Sequence, residues 1–153
     1  MTRHVFISYQ HGDQMRARGL NLMTYNRNVN VDFTGRHLLD PVKSHDPDYI
    51  SRKIKEQIKG SSATIVLVGK QTAGSEWVDK EIQWSIEKGN GIIGIRIDPD
   101  AAIPDGLTDY GAEVLDWYTP ADVQQFDAAI ERAIAATSRG RNMPTNTVST
   151  CSR

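Results

Sequence analysis

A glutamate that lies between two tryptophans is the feature of this sequence that most directly suggests chemistry. In the segment "SEWVDKEIQWSIEKGNGIIGIRI", Glu81 follows Trp77 by one helical turn and precedes Trp84 by another. Aliphatic residues at helical spacing mark the buried face of this predicted helix, and Glu81 falls at the edge of that face. A carboxylate that aromatic rings shield from water could stabilise a developing cation or bind ribose hydroxyls.

The same glutamate has a simpler interpretation. The helix macrodipole favours acidic side chains in the first turns of a helix, and Glu76 and Asp79 show that this helix start is acidic as a whole. Trp77 and Trp84 would then be packing residues. The residues by themselves leave both interpretations of Glu81 open.

The elements that would position Glu81 alternate between strand and helix along the chain. Apolar runs predict buried strands in "HVFISY", "ATIVLVG", "GIIGIRID" and "AEVLDWY", and "VNVDF" alternates as a further short strand. Helices are predicted after Asp13, from Pro47, from Ser75 and from Pro120. This alternation predicts an α/β fold: a flavodoxin-like, doubly wound, mostly parallel sheet of about five strands with helices on both faces.

The connections between these elements are polar. A long connection with a proline, "TGRHLLDPVKSHD", begins at Thr34, and "RIDPDAAIPDG" is predicted to be an acidic loop. The ordered domain is expected over residues 1–137, and the polar, aperiodic residues 138–153 are predicted to be a disordered tail. In open α/β sheets, ligands bind at the carboxyl ends of the strands, so chemistry is expected at that edge.

Composition and missing motifs argue against several functions. A net charge of -1 and a pI of about 6.4 give no global attraction to nucleic acid or to an anionic membrane, and no apolar stretch is long enough to span a bilayer. The single cysteine, Cys151, fits a cytoplasmic protein without disulfides. The chain lacks the G-x-G-x-x-G, P-loop and G-x-S-x-G signatures and the acidic cluster of response regulators, and its four scattered histidines predict no metal site.

Three segments resemble the TIR-like domains of bacterial antiphage systems, in particular the NAD-cleaving, signal-producing subunit of Thoeris. They are "VFISYQHGD", "SSATIVLVGKQTAGSEWVDKEIQWSIEKGNGIIGIRID" and the closing helix, and together they cover roughly Arg3 to Thr137. The most specific piece is W-V-x-x-E-I, followed by S-I-E-K-G-N. The resemblance implies a TIR-like enzyme that cleaves the bond between nicotinamide and ribose, with a catalytic glutamate on the helix after the third strand. That role maps onto Glu81.

The resemblance also implies substrate, product and partners. NAD+ is the substrate, and no further cofactor is expected. Attack by water would give ADP-ribose, whereas attack by a group of the same molecule would give a cyclic isomer, which is the product the family implies. A separate effector would recognise that product during antiviral defence, and assembly into homo-oligomers is compatible with this role.

Fold geometry adds candidates for the substrate-binding wall around Glu81: Trp77 on the same helix, Ser8, Tyr9 and His11 after the first strand, and Asp32 and Phe33 at the end of the second. Two functions without catalysis compete with the enzyme. One is a TIR-like scaffold in which the two tryptophans anchor a protein interface and Glu81 is a salt-bridge or capping residue. The other is a nucleotide-binding module that senses its ligand without cleaving it.

Overall fold

Five parallel strands form one sheet that carries helices on both faces. The computed structural model describes residues 3–23, 33–37 and 47–142. The strands are β1 (Arg3–Ser8), β2 (Phe33–His37), β3 (Ala63–Val68), β4 (Gly91–Arg96) and β5 (Glu113–Asp116). The helices are α1 (Gln14–Met23), α2 (Pro47–Lys59), α3 (Glu76–Lys88), α4 (Asp105–Tyr110) and α5 (Phe126–Asn142). Short 3-10 turns lie at His11–Asp13, Thr72–Gly74 and Pro120–Gln125.

The strand order is β2-β1-β3-β4-β5, and all neighbouring strands are parallel. Strand β2 therefore lies on one side of β1, and β3, β4 and β5 follow one another on the other side. The strand order reverses between β1 and β3, where Ser8 pairs with Val66 at the carboxyl edge. This arrangement confirms the predicted flavodoxin-like, doubly wound fold.

Both faces of the sheet are buried, which explains the continuous apolar runs of the central strands. One face packs against α1 and α5, through residues such as Leu20 and Phe126. The other face packs against α2, α3 and α4, through residues such as Ile58, Ile82 and Leu107. All six residues of β3 are buried, so the strand that precedes α3 is a rigid support for it.

Helix α3 has a defined beginning and end. The Ser75 side chain accepts a hydrogen bond from the Val78 backbone N–H at 3.3 Å, as an N-cap residue does. Gly89 ends the helix in the left-handed conformation, at φ 84°, which a glycine adopts without strain. These two residues fix the position of Glu81 in the second turn, close to the carboxyl edge of the sheet.

The second strand lies later in the sequence than predicted. "VNVDF" ends at Phe33, whereas β2 begins at Phe33 and uses residues of the predicted connection up to His37. Because β2 is an edge strand that pairs only with β1 in the described sheet, it does not need the continuous apolar run of a central strand. Residues 24–32 and 38–46, which hold the rest of the predicted strand and connection, lie outside the described residues.

Two helical segments also differ from the predictions. The predicted acidic loop leads into α4, which runs from Asp105 to Tyr110 and ends at Gly111, where the chain turns at φ 83°. A helix of six residues is too short to produce a clear helical period in the sequence. Helix α5 continues through Asn142, beyond the boundary predicted at residue 137, and residues 143–153 lie outside the described residues.

Candidate active site

Glu81 is buried beneath the carboxyl edge of the sheet, where it contacts the end of β1. The residue is 7% exposed. The hydroxyl of Ser8, which is the last residue of β1, donates a hydrogen bond to Glu81 Oε1 at 2.5 Å. A buried carboxylate needs such a donor because it has lost its hydrogen bonds to water. The position of Glu81 at the edge of the apolar helix face thus corresponds to a contact with a neighbouring strand.

A cavity of about 320 Å³ opens next to Glu81. Its walls come from β1 and the loop that follows it, from the N-cap of α3 and from the first two turns of α3: Phe6, Ile7, Tyr9, Gln10, Ser75, Trp77 and Glu81. Aromatic and aliphatic surface therefore surrounds a single carboxylate, with an amide and two hydroxyls as further polar groups. Ligand pockets commonly have this composition.

Burial controls the protonation of the glutamate. It raises the pKa of Glu81 from 4.5 to about 7, because a charged carboxylate is costly away from water, and the hydrogen bond from Ser8 partly opposes this rise. The pKa of the Tyr9 phenol is also raised, first by burial and then by the charge of Glu81, while Arg18 acts in the opposite direction. The carboxyl of Glu81 therefore changes charge near neutral pH, and Tyr9 stays protonated there.

The two tryptophans are packed against each other. The ring centroids of Trp77 and Trp84 are 6.4 Å apart, and the rings meet edge to face at 63°. The ammonium group of Lys80 lies 4.7 Å from the centroid of Trp77, and that of Lys55 lies 5.0 Å from the centroid of Trp84. Only Trp77 belongs to the wall of the Glu81 cavity, whereas Trp84 lines a separate groove.

The structure brings together four of the predicted site residues: Ser8, Tyr9, Trp77 and Glu81. Ser8 is predicted to line the substrate wall, but it does not line the cavity and contacts Glu81 instead. The His11 backbone lies in the 3-10 turn directly after the β1 loop.

The predicted position of Phe33, at the end of the second strand, is wrong. Phe33 pairs with Arg3 at the amino-terminal end of β1, so it lies at the edge of the sheet opposite Ser8. The register shift of the second strand causes this error. Asp32, which precedes Phe33, lies outside the described residues.

Sequence reasoning does not select several residues that line the cavity. Gln10 is the exception, because the sequence already places it in the polar loop after the first strand, at the carboxyl edge where a ligand is expected. Ser75 is recognisable only as a residue before an acidic helix start. Phe6 and Ile7 belong to the apolar run of β1, where the sequence cannot distinguish a core residue from a cavity wall.

A second cavity, of about 410 Å³, lies at the same edge of the sheet and shares Gln10 with the first. Asp13 lies in its wall, and the Thr72 hydroxyl donates to the Asp13 carboxylate at 3.4 Å. Burial raises the pKa of Asp13, and the Thr72 hydrogen bond opposes this change. Gly69, also in this wall, leaves room for Asp13 that a Cβ atom would occupy. Asp13 thereby connects the start of α1 to the loop after β3.

Two properties of the described residues bear on metals and membranes. In residues 3–23, 33–37 and 47–142, no three His, Cys, Asp or Glu side chains are grouped as metal ligands would be. None of the helices in these ranges has both the length and the apolar character that crossing a bilayer requires.

The fold and the site place the chain among doubly wound α/β domains with a candidate ligand site at the carboxyl edge of the sheet. The chain belongs to the family described as "Thoeris protein ThsB, TIR-like domain", whose model matches residues 6–102. This match confirms the resemblance seen in the sequence.

Individual relatives support the same classification. Over 102 residues the chain is 34% identical to ThsB1 of Bacillus cereus (strain MSX-D12), a protein named as a proposed cyclic ADP-D-ribose synthase. The alignment covers 63% of this chain and 53% of that protein, so the chain spans about half the length of this relative.

Solved structures share the fold. The TIR domain of the Toll-related receptor TRR-2 from Hydra magnipapillata matches with a TM-score of 0.57 at 20% identity, over 86% of this chain and 97% of that one. The CMP N-glycosidase BcmB of Clostridium botulinum matches with a TM-score of 0.55 at 17% identity, over 82% of this chain and 99% of that one. At these identities the likeness concerns the fold alone.

Proposed function

We propose that this chain cleaves NAD+ between nicotinamide and ribose and releases an ADP-ribose signal, with Glu81 as the catalytic residue. The observation that carries the proposal is the buried Glu81 carboxylate at a partly aromatic cavity on the ligand-binding edge of the sheet. The similarity to a relative named as a proposed cyclic ADP-D-ribose synthase supports the choice of substrate.

The chemistry follows from the charges involved. When the glycosidic bond breaks, its electron pair moves to the ring nitrogen, and nicotinamide leaves as a neutral molecule. Positive charge then develops on ribose C1, and an ionised carboxylate nearby stabilises it. The site is well suited to this task because burial strengthens the electrostatic interaction. The positive charge of the nicotinamide ring in bound NAD+ also lowers the pKa of Glu81, and so it favours the ionised form that the reaction needs.

The cavity wall bears on the choice of product. If water attacks C1, it loses a proton and the product is ADP-ribose. If a group of the same dinucleotide attacks, a ring closes: a hydroxyl loses its proton as it bonds to C1, whereas a ring nitrogen bonds through its lone pair and takes up the positive charge. Phe6, Ile7 and Trp77 contribute apolar side chains to the wall. We propose that the bound dinucleotide, packed against this wall, keeps water from C1 and so favours the cyclic product. We propose further that a separate effector recognises this product in antiphage defence.

The non-catalytic alternatives find less support at Glu81. A scaffold in which Glu81 caps the helix is disfavoured, because Ser75 fills the N-cap position of α3. The Glu81 carboxylate accepts its hydrogen bond from the neutral Ser8 hydroxyl, which does not match the salt-bridge role that a scaffold would give it. A sensor that binds a nucleotide without cleaving it is the alternative that a turnover experiment must exclude.

Incubation of the purified protein with NAD+ tests the proposal. Wild type, Glu81→Gln and Glu87→Gln are compared with and without extract from phage-infected cells, and products are separated by chromatography and identified by mass. Glu87→Gln is the matched control, because it makes the same chemical change at an exposed position of α3. Wild type and Glu87→Gln should release nicotinamide, whereas Glu81→Gln should not. If folded wild type binds NAD+ and consumes none under any condition, the sensor explains the site better.

A further inference from the structure

We propose that Ser8 is a positioning residue: its hydroxyl holds one carboxylate oxygen of Glu81 and leaves the other oxygen for the reacting ribose. This inference rests on the proposed function, since it assigns a role within the same site. Ser8 acts through Glu81 and not on the substrate, because it does not line the cavity.

The geometry of the contact supports this role. Ser8 is 1% exposed and lies at the end of β1, where it pairs with Val66 of the buried strand β3. Its Oγ atom is 2.5 Å from Glu81 Oε1. A hydroxyl that donates to a carboxylate forms a short, charge-assisted hydrogen bond, which is stronger than a bond between neutral groups. A short side chain on a rigid strand therefore fixes the orientation of a longer side chain on the neighbouring helix.

The same bond favours the ionised form of Glu81. Burial raises the pKa of Glu81, and the hydrogen bond from Ser8 lowers it, because the hydroxyl donates to the charged carboxylate. Without this donor, the carboxyl would keep its proton to a higher pH. The proposed reaction needs the ionised form, so loss of the Ser8 hydroxyl should reduce activity most at low and neutral pH.

Other charged groups near Glu81 have different contacts. Tyr9 is the other titratable residue that lines the cavity, and burial raises its pKa. The ammonium groups of Lys55 on α2 and Lys80 on α3 lie over the tryptophan rings. Strand β3 carries no titratable side chain. Helix α4 carries Asp105 and Asp109, and its Gly106 lies against Ile82.

A second buried hydroxyl contact provides a matched control. Ser85 lies one turn after Glu81 on α3, and its Oγ is 2.8 Å from the hydroxyl oxygen of Thr64 on β3. Ser8 and Ser85 are both fully buried, and each joins α3 to the sheet through a hydroxyl. Ser85→Ala therefore removes the same atom in a similar environment but leaves the donor to Glu81 in place.

The experiment compares wild type, Ser8→Ala and Ser85→Ala. The titration midpoint of Glu81 is followed by NMR of protein labelled with ¹³C at the glutamate carboxyl, with Glu81→Gln to assign the signal. The pH dependence of NAD+ cleavage is measured on the same samples. Ser8→Ala should raise the midpoint by about one pH unit, and Ser85→Ala should leave it unchanged.

The kinetics should follow the titration. With the midpoint of the free enzyme raised by about one pH unit, kcat/KM at pH 7 should fall about fivefold in Ser8→Ala, and it should recover as the pH rises. KM should change little, because Ser8 does not touch the substrate. A residue with only a structural role would lower activity at every pH. If Ser8→Ala does not fold, Ser8→Cys keeps the volume with a weaker donor, and its midpoint should also rise.

The outcomes distinguish the role of Ser8 from the proposed cleavage of NAD+. Equal midpoints in wild type, Ser8→Ala and Ser85→Ala would overturn the role of Ser8, whether or not NAD+ is cleaved. A raised midpoint in Ser8→Ala alone, together with wild type that cleaves no NAD+, would retain the control of Glu81 by Ser8 and reject the proposed reaction. A raised midpoint with a matching shift of the pH profile supports both.

Discussion

Trp77 and Trp84 meet edge to face with their centroids 6.4 Å apart, yet only Trp77 lines the cavity that contains Glu81. Trp84 and the apolar residues of α2 pack on the side of the sheet that carries this cavity. The Trp84 ring therefore packs against the Trp77 ring without lining this cavity. Substituting the two tryptophans one at a time therefore separates the effect of the cavity wall on activity from the effect of helix packing.

We expect Trp77→Leu to lower kcat/KM for NAD+ by at least about tenfold, because the flat ring that would stack on a base or a pyridine ring is lost. Trp84→Leu makes the same change next to the cavity and should lower kcat/KM only a few-fold. Steady-state kinetics on both variants, with thermal unfolding as a check on folding, measure the difference. Equal losses in the two variants would mean that Trp77 acts only through packing.

The buried charge of Glu81 should cost stability above neutral pH. Since the pKa of Glu81 is raised from 4.5 to about 7 in the folded protein, the folded state binds the proton more tightly than the unfolded chain does. The free energy of unfolding should therefore fall as the pH rises from about 4.5 to about 7, by up to about 3 kcal/mol.

Glu81→Gln removes this dependence, because the amide is neutral at every pH and its oxygen can still accept from Ser8. The variant should be more stable than wild type at about pH 8 and similar to it at about pH 4.5, as measured by urea unfolding. Glu87→Gln, at an exposed position, should follow the wild-type curve. A constant difference between Glu81→Gln and wild type across this range would show that the carboxyl titrates normally.

The sequence predicts the position of Glu81 on its helix but cannot predict its partner. Apolar spacing in α3 depends on residues that are close along the chain, so it suffices to place Glu81 at the edge of the buried face. Ser8 lies 73 residues earlier, and its contact with Glu81 depends on β1 and β3 being neighbours in the sheet. Local periodicity holds no information about which strands are neighbours.

The second strand shows the same limit. "VNVDF" alternates as a strand should, but the pairing of Arg3 with Phe33 and of Ile7 with His37 decides which residues form β2. An edge strand tolerates a polar sequence such as "FTGRH", so hydrophobic pattern alone does not distinguish it from a loop. This error moves Phe33 from one end of the sheet to the other.

The loop after β3 should depend on Gly69. A Cβ atom there would collide with the carboxylate of Asp13, which the Thr72 hydroxyl contacts. We expect Gly69→Ala to push Asp13 away from Thr72 and to destabilise the protein by about 1–3 kcal/mol, measured by urea unfolding. Gly74→Ala is the control, because a Cβ atom at Gly74 would meet nothing within 4 Å. If the two variants unfold alike, Asp13 relocates without cost.

Contacts between Arg16 and Trp117 join the start of α1 to the residue that follows β5. The guanidinium carbon of Arg16 lies 4.2 Å from the centroid of the Trp117 ring, and its Nη2 donates to the Trp117 carbonyl oxygen at 2.8 Å. A lysine keeps the charge but has no planar group to cover the indole and donate at the same time. We therefore expect Arg16→Lys to destabilise the protein by about 1–2 kcal/mol, measured by urea unfolding.

Arg132 offers the comparison, since it forms an exposed ion pair with Glu113, at 2.7 Å between Nη2 and Oε2. Solvent screens such a pair, so Arg132→Lys should change the free energy of unfolding less than Arg16→Lys does. The measured difference between the two variants isolates what stacking on Trp117 adds to a charged hydrogen bond. Equal effects would mean that the stacking of Arg16 on Trp117 contributes nothing measurable to stability beyond what a charged hydrogen bond provides.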